Sequence, residues 1–152
     1  MTKRTYVLAS IIAAAILLAL SAQGTILMPP RGKAVRPPAS EFGPGPRASA
    51  KGLYIASLQG ADALKARRMY TIQTTVVDGK TGKAITEATI LVDGGMPQHG
   101  HGLPTRPRVT NNLGDGKYEI SGLRFNMGGW WELELTITTA AGTDTVTFHL
   151  SL

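Results

Sequence analysis

The hydrophobic and polar positions of the chain change their pattern twice. After Lys3 and Arg4 no charge occurs before Arg31, and the strongly apolar part runs from about Tyr6 to Leu20. This pattern predicts one N-terminal hydrophobic helix within residues 1–28. The uncharged run is long enough to span a bilayer as a transmembrane anchor. A basic start and small residues near its end also fit a cleaved signal peptide. Both alternatives predict an extracytoplasmic location for the rest of the chain, anchored in the cytoplasmic membrane or secreted to the periplasm.

The second segment, residues 29–51, is rich in proline, glycine and basic residues. Such a composition favours an extended spacer over a packed element. We therefore predict a basic linker here and a single folded domain over residues 52–152, long enough for one modest core.

From residue 53 onward, apolar and polar residues alternate with period two in short segments separated by turn residues. The predicted strands cover residues 53–59, 69–78, 88–93, 117–121, 130–139 and 145–150, with a further short one at 108–112. Many short strands at close spacing are typical of a sandwich. The sequence therefore predicts an all-β fold, an immunoglobulin-like antiparallel β-sandwich of about seven strands.

The last two strands have the clearest faces. Trp131, Leu133, Leu135 and Ile137 share one face of the first, whereas Trp130 falls on the polar face. Trp130 is either a ligand or partner contact, or is covered by a neighbouring loop. We expect His149, on the outward face of the final strand, to be solvated.

The composition of the chain argues against several kinds of functional site. The net charge is +6, from 16 Lys and Arg against 10 Asp and Glu, but the basic residues of the linker have no interleaved aromatic side chains. That arrangement argues against nucleic-acid binding. The chain has no cysteine, which excludes disulfides, thiolate ligands and cysteine nucleophiles.

The loop MPQHGHGLP, residues 96–104, holds two of the three histidines of the chain. His99 and His101 are two residues apart, so an extended backbone directs both rings to the same side. With Met96 they form a ligand set of imidazoles and a thioether, which points to copper before zinc. Met127, in a later loop, is a candidate fourth ligand. Alternatively, the histidines hold the loop through hydrogen bonds and both methionines fill gaps in the core.

Several motifs together resemble the YtkA-like and FixH-like domain family. They are ATILV (88–92), MPQHGHG (96–102), GDGKY (114–118) and LRFNMGGW (123–130), and the resemblance covers roughly residues 65–152. It implies a small extracytoplasmic or membrane-tethered β-sandwich, and for FixH-like relatives a role in copper handling and oxidase assembly. The family's loop histidines and methionines fall on Met96, His99, His101 and Met127. Gln98 departs from the pattern and leaves fewer thioether ligands.

The function expected from the residues and the resemblance is to bind a copper ion or hand it on. The alternative is a metal-independent structural or assembly factor that docks on a membrane, respiratory complex through the same loop. We do not expect an enzyme, because no serine lies in a nucleophile elbow and no carboxylate pair lies beside the histidines.

Overall fold

The computed structural model describes residues 34–152. The hydrophobic helix predicted within residues 1–28 lies outside the described residues. In the described part the regular structure is a 3-10 turn, Ala39–Glu41, and nine strands. The strands are β1 (Arg47–Ala48), β2 (Tyr54–Gln59), β3 (Met69–Asp78), β4 (Thr89–Met96), β5 (His101–Gly102), β6 (Arg108–Gly114), β7 (Lys117–Arg124), β8 (Trp130–Thr139) and β9 (Gly142–Ser151). Among residues 34–152 no helix is long and apolar enough to cross a membrane.

All strand pairs are antiparallel, in the order β1-β2-β3-β7-β6-β4-β8-β9, and β5 pairs with β4. The predicted all-β, antiparallel class is therefore confirmed. Seven strands are longer than two residues and correspond to the seven predicted segments. The sheet curves until its two edges meet. Ala50 donates its backbone N–H to the Thr145 carbonyl oxygen, and Gly43 donates its own to that of His149, both at 2.9 Å.

The core lies inside this curved, nearly closed sheet. Its largest fully buried side chains include Trp131, Tyr54, Tyr118, Phe125 and Phe148. The predicted inward faces of the last two strands are confirmed. Trp131, Leu133, Leu135 and Ile137 of β8 are completely buried, as are Val146 and Phe148 of β9, while Leu150 is nearly so. Each such side chain contributes roughly 1.5–3 kcal/mol relative to its exposed state.

The segment before β2 differs from the extended spacer predicted for residues 29–51. Arg47 pairs with Ala56 of β2, and the Asp144 carboxylate accepts the Lys51 backbone N–H at 2.8 Å. The physical reason is that β9 would otherwise present unpaired backbone groups at an open edge. A proline-rich segment can still cover such an edge through residues that keep a backbone N–H, as Gly43 and Ala50 do.

Candidate metal centre

The MPQHGHG stretch forms a tight hairpin between β4 and β5. Met96 ends β4 and lies opposite His101 of β5, one step beyond the pair of Gly95 and Gly102. The Met96 carbonyl oxygen accepts the backbone N–H of His99 at 3.0 Å and of Gly100 at 2.8 Å. Gly100 has φ +67°, a conformation that glycine adopts without steric cost. The sequence predicted a loop over these residues, and in the structure they form a hydrogen-bonded turn between two paired strands.

The register of the hairpin determines which side chains are neighbours. Residues directly opposite in an antiparallel pair project from the same face of the sheet. Met96 and His101 therefore lie side by side, with Met96 only 3% exposed and His101 exposed. The rings of His99 and His101 are nearly parallel, with an interplanar angle of 3° and centroids 6.2 Å apart. Three of the four predicted ligands thus belong to one hairpin, two of them open to solvent.

Glycines allow the backbones to approach closely at the base of the hairpin. A Cβ atom on Gly94 would overlap the Glu132 carbonyl oxygen, and one on Gly95 would lie 2.7 Å from that of His101. Only glycine therefore fits without movement of β8 or β5. This close approach holds the histidine-bearing turn against the sheet.

The loop that carries Met127 lies at the same end of the sheet. The Met127 carbonyl oxygen accepts the indole N–H of Trp131 at 3.0 Å, and Gly129 exchanges backbone hydrogen bonds with Leu152. A Cβ atom on Gly129 would lie 2.9 Å from Cε of Met96. The two loops therefore meet where Met96 approaches Gly129, which is two residues along the chain from Met127. The Met127 side chain is 42% exposed, and its role as a ligand stays a prediction.

The donor set at this hairpin fits a soft ion. Within residues 34–152, no three His, Cys, Asp or Glu side chains are grouped so that they could hold a metal ion. An ion bound by His99 and His101 would need its remaining ligands from thioethers, backbone, water or another molecule. The Met96 thioether beside His101 is of the type that Cu(I) prefers.

His149 lies in a different environment from the solvated one expected. Its side chain is 16% exposed, and Nδ1 accepts the Trp130 indole N–H at 3.3 Å. Phe42, from the segment before β1, packs edge-on against Trp130 with centroids 6.4 Å apart. Of the two alternatives for Trp130, the structure shows the covered one. The signal that sequence reasoning missed is Phe42, a lone aromatic residue in the proline-rich segment.

Carboxylates approach His149 from two elements. Glu132 Oε1 of β8 is 3.5 Å from Nδ1, and Glu41 Oε2 is 3.9 Å from Nε2. Burial raises the pKa of Glu132 above its ordinary value; His149 opposes this shift and Glu134 adds to it. These are the two contacts within 4.0 Å between a basic side chain and a carboxylate among the described residues, so His99 and His101 have no such partner there.

Comparison with known proteins gives one match. No curated protein and no solved structure is significantly similar to the chain. The family model described as YtkA-like matches residues 51–136, which is more than half of the chain and extends from just before β2 into β8. The chain therefore belongs to the YtkA-like family.

Proposed function

We propose that this protein is an extracytoplasmic, membrane-tethered module that binds a copper ion, or hands it on, through the β4–β5 hairpin. The ligands are His99 and His101, with Met96 beside them and Met127 from the neighbouring loop. The role is binding rather than catalysis. The resemblance to FixH-like domains supports the same proposal.

The observation that carries the proposal is the arrangement of Met96, His99 and His101. Two parallel imidazoles lie on an ordered turn, and the thioether lies opposite one of them across the ladder. Metal–nitrogen bonds are about 2 Å long. The two rings are stacked with centroids 6.2 Å apart, and a ring nitrogen binds a metal in the plane of its ring. An ion bound by both imidazoles therefore requires these exposed side chains to turn until their nitrogens converge. Because both rings are exposed, the ion reaches the imidazoles directly from solvent, whereas a bond to the thioether of Met96, which is 3% exposed, requires that side chain to move out of the core.

The ligand types favour copper, and Cu(I) in particular. Imidazole binds copper, zinc, iron and nickel, whereas a thioether selects Cu(I). A structural zinc site takes four ligands, usually Cys and His with occasional Asp or Glu. The hairpin offers two of these and completes its set with sulfur from methionine.

The proposed location rests on the sequence of residues 1–28. Basic residues followed by an uncharged run lead the chain across the cytoplasmic membrane, either as an anchor or as a cleaved signal. The folded part would then meet copper ions or a membrane complex outside the cytoplasm.

The test is a competition titration of the purified full-length chain with Cu(I) and Cu(II) against a chelator of known affinity. We expect one tightly bound ion per chain, lost in His99→Ala/His101→Ala. His149→Gln is the matched control, because it removes the third histidine and leaves the hairpin intact. Equal binding by the wild type and the double variant would overturn the proposal.

The second candidate is a metal-independent assembly factor that docks on a membrane complex through the same hairpin. The close approach of backbones at Gly94 and Gly95 favours it, because that approach makes the hairpin a rigid edge. In this case copper titration gives no specific binding. A membrane partner would still be retained by the chain after treatment with a chelator.

We further propose that the fold is of the immunoglobulin-like sandwich type. Its seven longer strands and fully antiparallel pairing support this, as does the burial of one face of β8 and β9. A crystal structure in which the strands separate into two facing layers would test it.

A further inference from the structure

His149 lies between the β8–β9 strand pair and the segment that precedes β1. Residues 36–43, here called the strap, precede β1 and contact His149 of β9 through Glu41, Phe42 and Gly43. Phe42 forms a parallel bridge with His149, and the guanidinium of Arg36 lies 4.8 Å from the centroid of the Phe42 ring. The strap connects the folded domain to the N-terminal hydrophobic segment of the sequence.

The two ring nitrogens of His149 face different partners. Nδ1 has the Trp130 indole N–H at 3.3 Å and the Glu132 carboxylate at 3.5 Å. An indole N–H only donates and a carboxylate only accepts, so a neutral ring and a protonated ring favour different neighbours at this nitrogen. Nε2 faces Glu41 of the strap at 3.9 Å.

We propose that His149 is a proton-operated latch that fastens the strap to β8 and β9. In the neutral ring, Nδ1 accepts the indole N–H and Nε2 carries the proton. When the ring is protonated, Nδ1 also carries hydrogen, releases Trp130 and donates to Glu132. The positive ring then attracts Glu41, which ties the strap more tightly to the sheet.

The charged groups around the ring favour a tighter contact between the strap and the sheet when the ring is positive. From β8 the ring faces Glu132 and, one outward position further, Glu134; from the strap it faces Glu41 and the more distant Arg36. β1, which also packs against β9, contributes Arg47. Three carboxylates thus oppose two guanidiniums, and that of Arg36 is engaged by the Phe42 ring. An imidazolium at this position therefore meets a net negative environment.

The fluorescence of Trp130 can report the state of the latch. Its ring centroid lies 5.9 Å from that of His149, and an imidazolium quenches a neighbouring indole by accepting its excited electron. We expect the tryptophan fluorescence of the full-length chain to fall in one step as the pH is lowered from 8 to 5, the range in which histidine titrates. His149→Gln should remove the step. His99→Ala/His101→Ala, which removes the other two histidines, should leave it unchanged.

Hydrogen exchange at the Gly43 amide, which donates to the His149 carbonyl oxygen, reports the strap itself. After correction for intrinsic exchange, this amide should be several-fold better protected at pH 5.5 than at pH 8 in the wild type. Glu41→Gln should abolish that difference. Glu41 is half-exposed, so this variant also serves as the test if His149→Gln fails to fold.

Two results would overturn the latch. One is a fluorescence step that persists in His149→Gln. The other is a Gly43 amide whose corrected protection is independent of pH, or depends on pH equally in the wild type and Glu41→Gln. Neither measurement uses copper, so the latch and the copper proposal stand or fall separately.

Discussion

The two histidine-bearing regions of the domain make opposite use of the same side chain. His99 and His101 lie on a turn, exposed and without a carboxylate partner among the described residues, beside a buried thioether. His149 is packed between aromatic rings, and carboxylates approach both of its nitrogens. An exposed imidazole pair without partners is suited to an exchangeable ion, whereas a covered imidazole with built-in partners is suited to the proton.

Removing the hairpin histidines should produce the largest effect. For His99→Ala/His101→Ala we expect Cu(I) affinity to fall about 1,000-fold or more, which corresponds to roughly 4 kcal/mol. Thermal stability should hardly change, because both side chains are exposed. Chelator competition measures the first quantity and calorimetry the second. If His149→Gln weakened copper binding as much, the distinction between the two regions would fail.

Met96 separates packing from ligation within the hairpin. Met96→Ala should lower the free energy of unfolding by about 2–5 kcal/mol, because it empties a buried site beneath Gly129. Met96→Leu keeps the volume and should cost less than about 1.5 kcal/mol, yet it removes the sulfur. Urea unfolding and Cu(I) titration of both variants distinguish the roles.

The outcome for Met96→Leu decides whether sulfur is a ligand. A variant that folds well and binds Cu(I) much more weakly supports the thioether. Unchanged Cu(I) affinity would leave Met96 as a core residue and confine the site to the imidazoles. Met127→Leu, on the exposed side of the neighbouring loop, is the parallel test for the fourth predicted ligand.

Sequence alone predicted the all-β class and the two inward faces because strand periodicity and turn residues are local signals. It also identified Met96, His99 and His101 as one group, since they are adjacent in sequence. It could not predict that Phe42 covers Trp130 and His149. That contact joins residues more than eighty positions apart, and in a proline-rich segment no periodicity marks Phe42 as buried.

Gly129 tests whether the Met127 loop rests on the hairpin. Gly129 has φ +125°, so Gly129→Ala should cost about 1–3 kcal/mol from backbone strain. The new Cβ would also press on Cε of Met96 and should weaken Cu(I) binding. Gly142→Ala is the matched control, with φ +130° and Leu53 as its nearest side chain. Chemical unfolding should show a similar loss of stability for both variants, but Cu(I) affinity should fall only for Gly129→Ala. A loss of Cu(I) affinity in both variants would mean that the contact between Gly129 and Met96 does not affect the site.

The smallest expected effect concerns Glu132, which distinguishes the surroundings of His149 from those of the hairpin histidines. Burial raises the pKa of Glu132, so folding disfavours its charged form. The resulting stability is present at low pH and is lost as the pH rises through the raised pKa. Glu132→Gln should therefore gain free energy of unfolding relative to the wild type as the pH increases from 5 to 8. The carboxyl is partly solvated, which limits the gain to roughly 0.5 kcal/mol.

Urea unfolding at several pH values measures the difference, with Glu87→Gln on an exposed loop as the control for removal of a carboxylate. A difference in free energy of unfolding between Glu132→Gln and the wild type that stays constant, or shifts in favour of the wild type, from pH 5 to 8 would contradict the argument from burial.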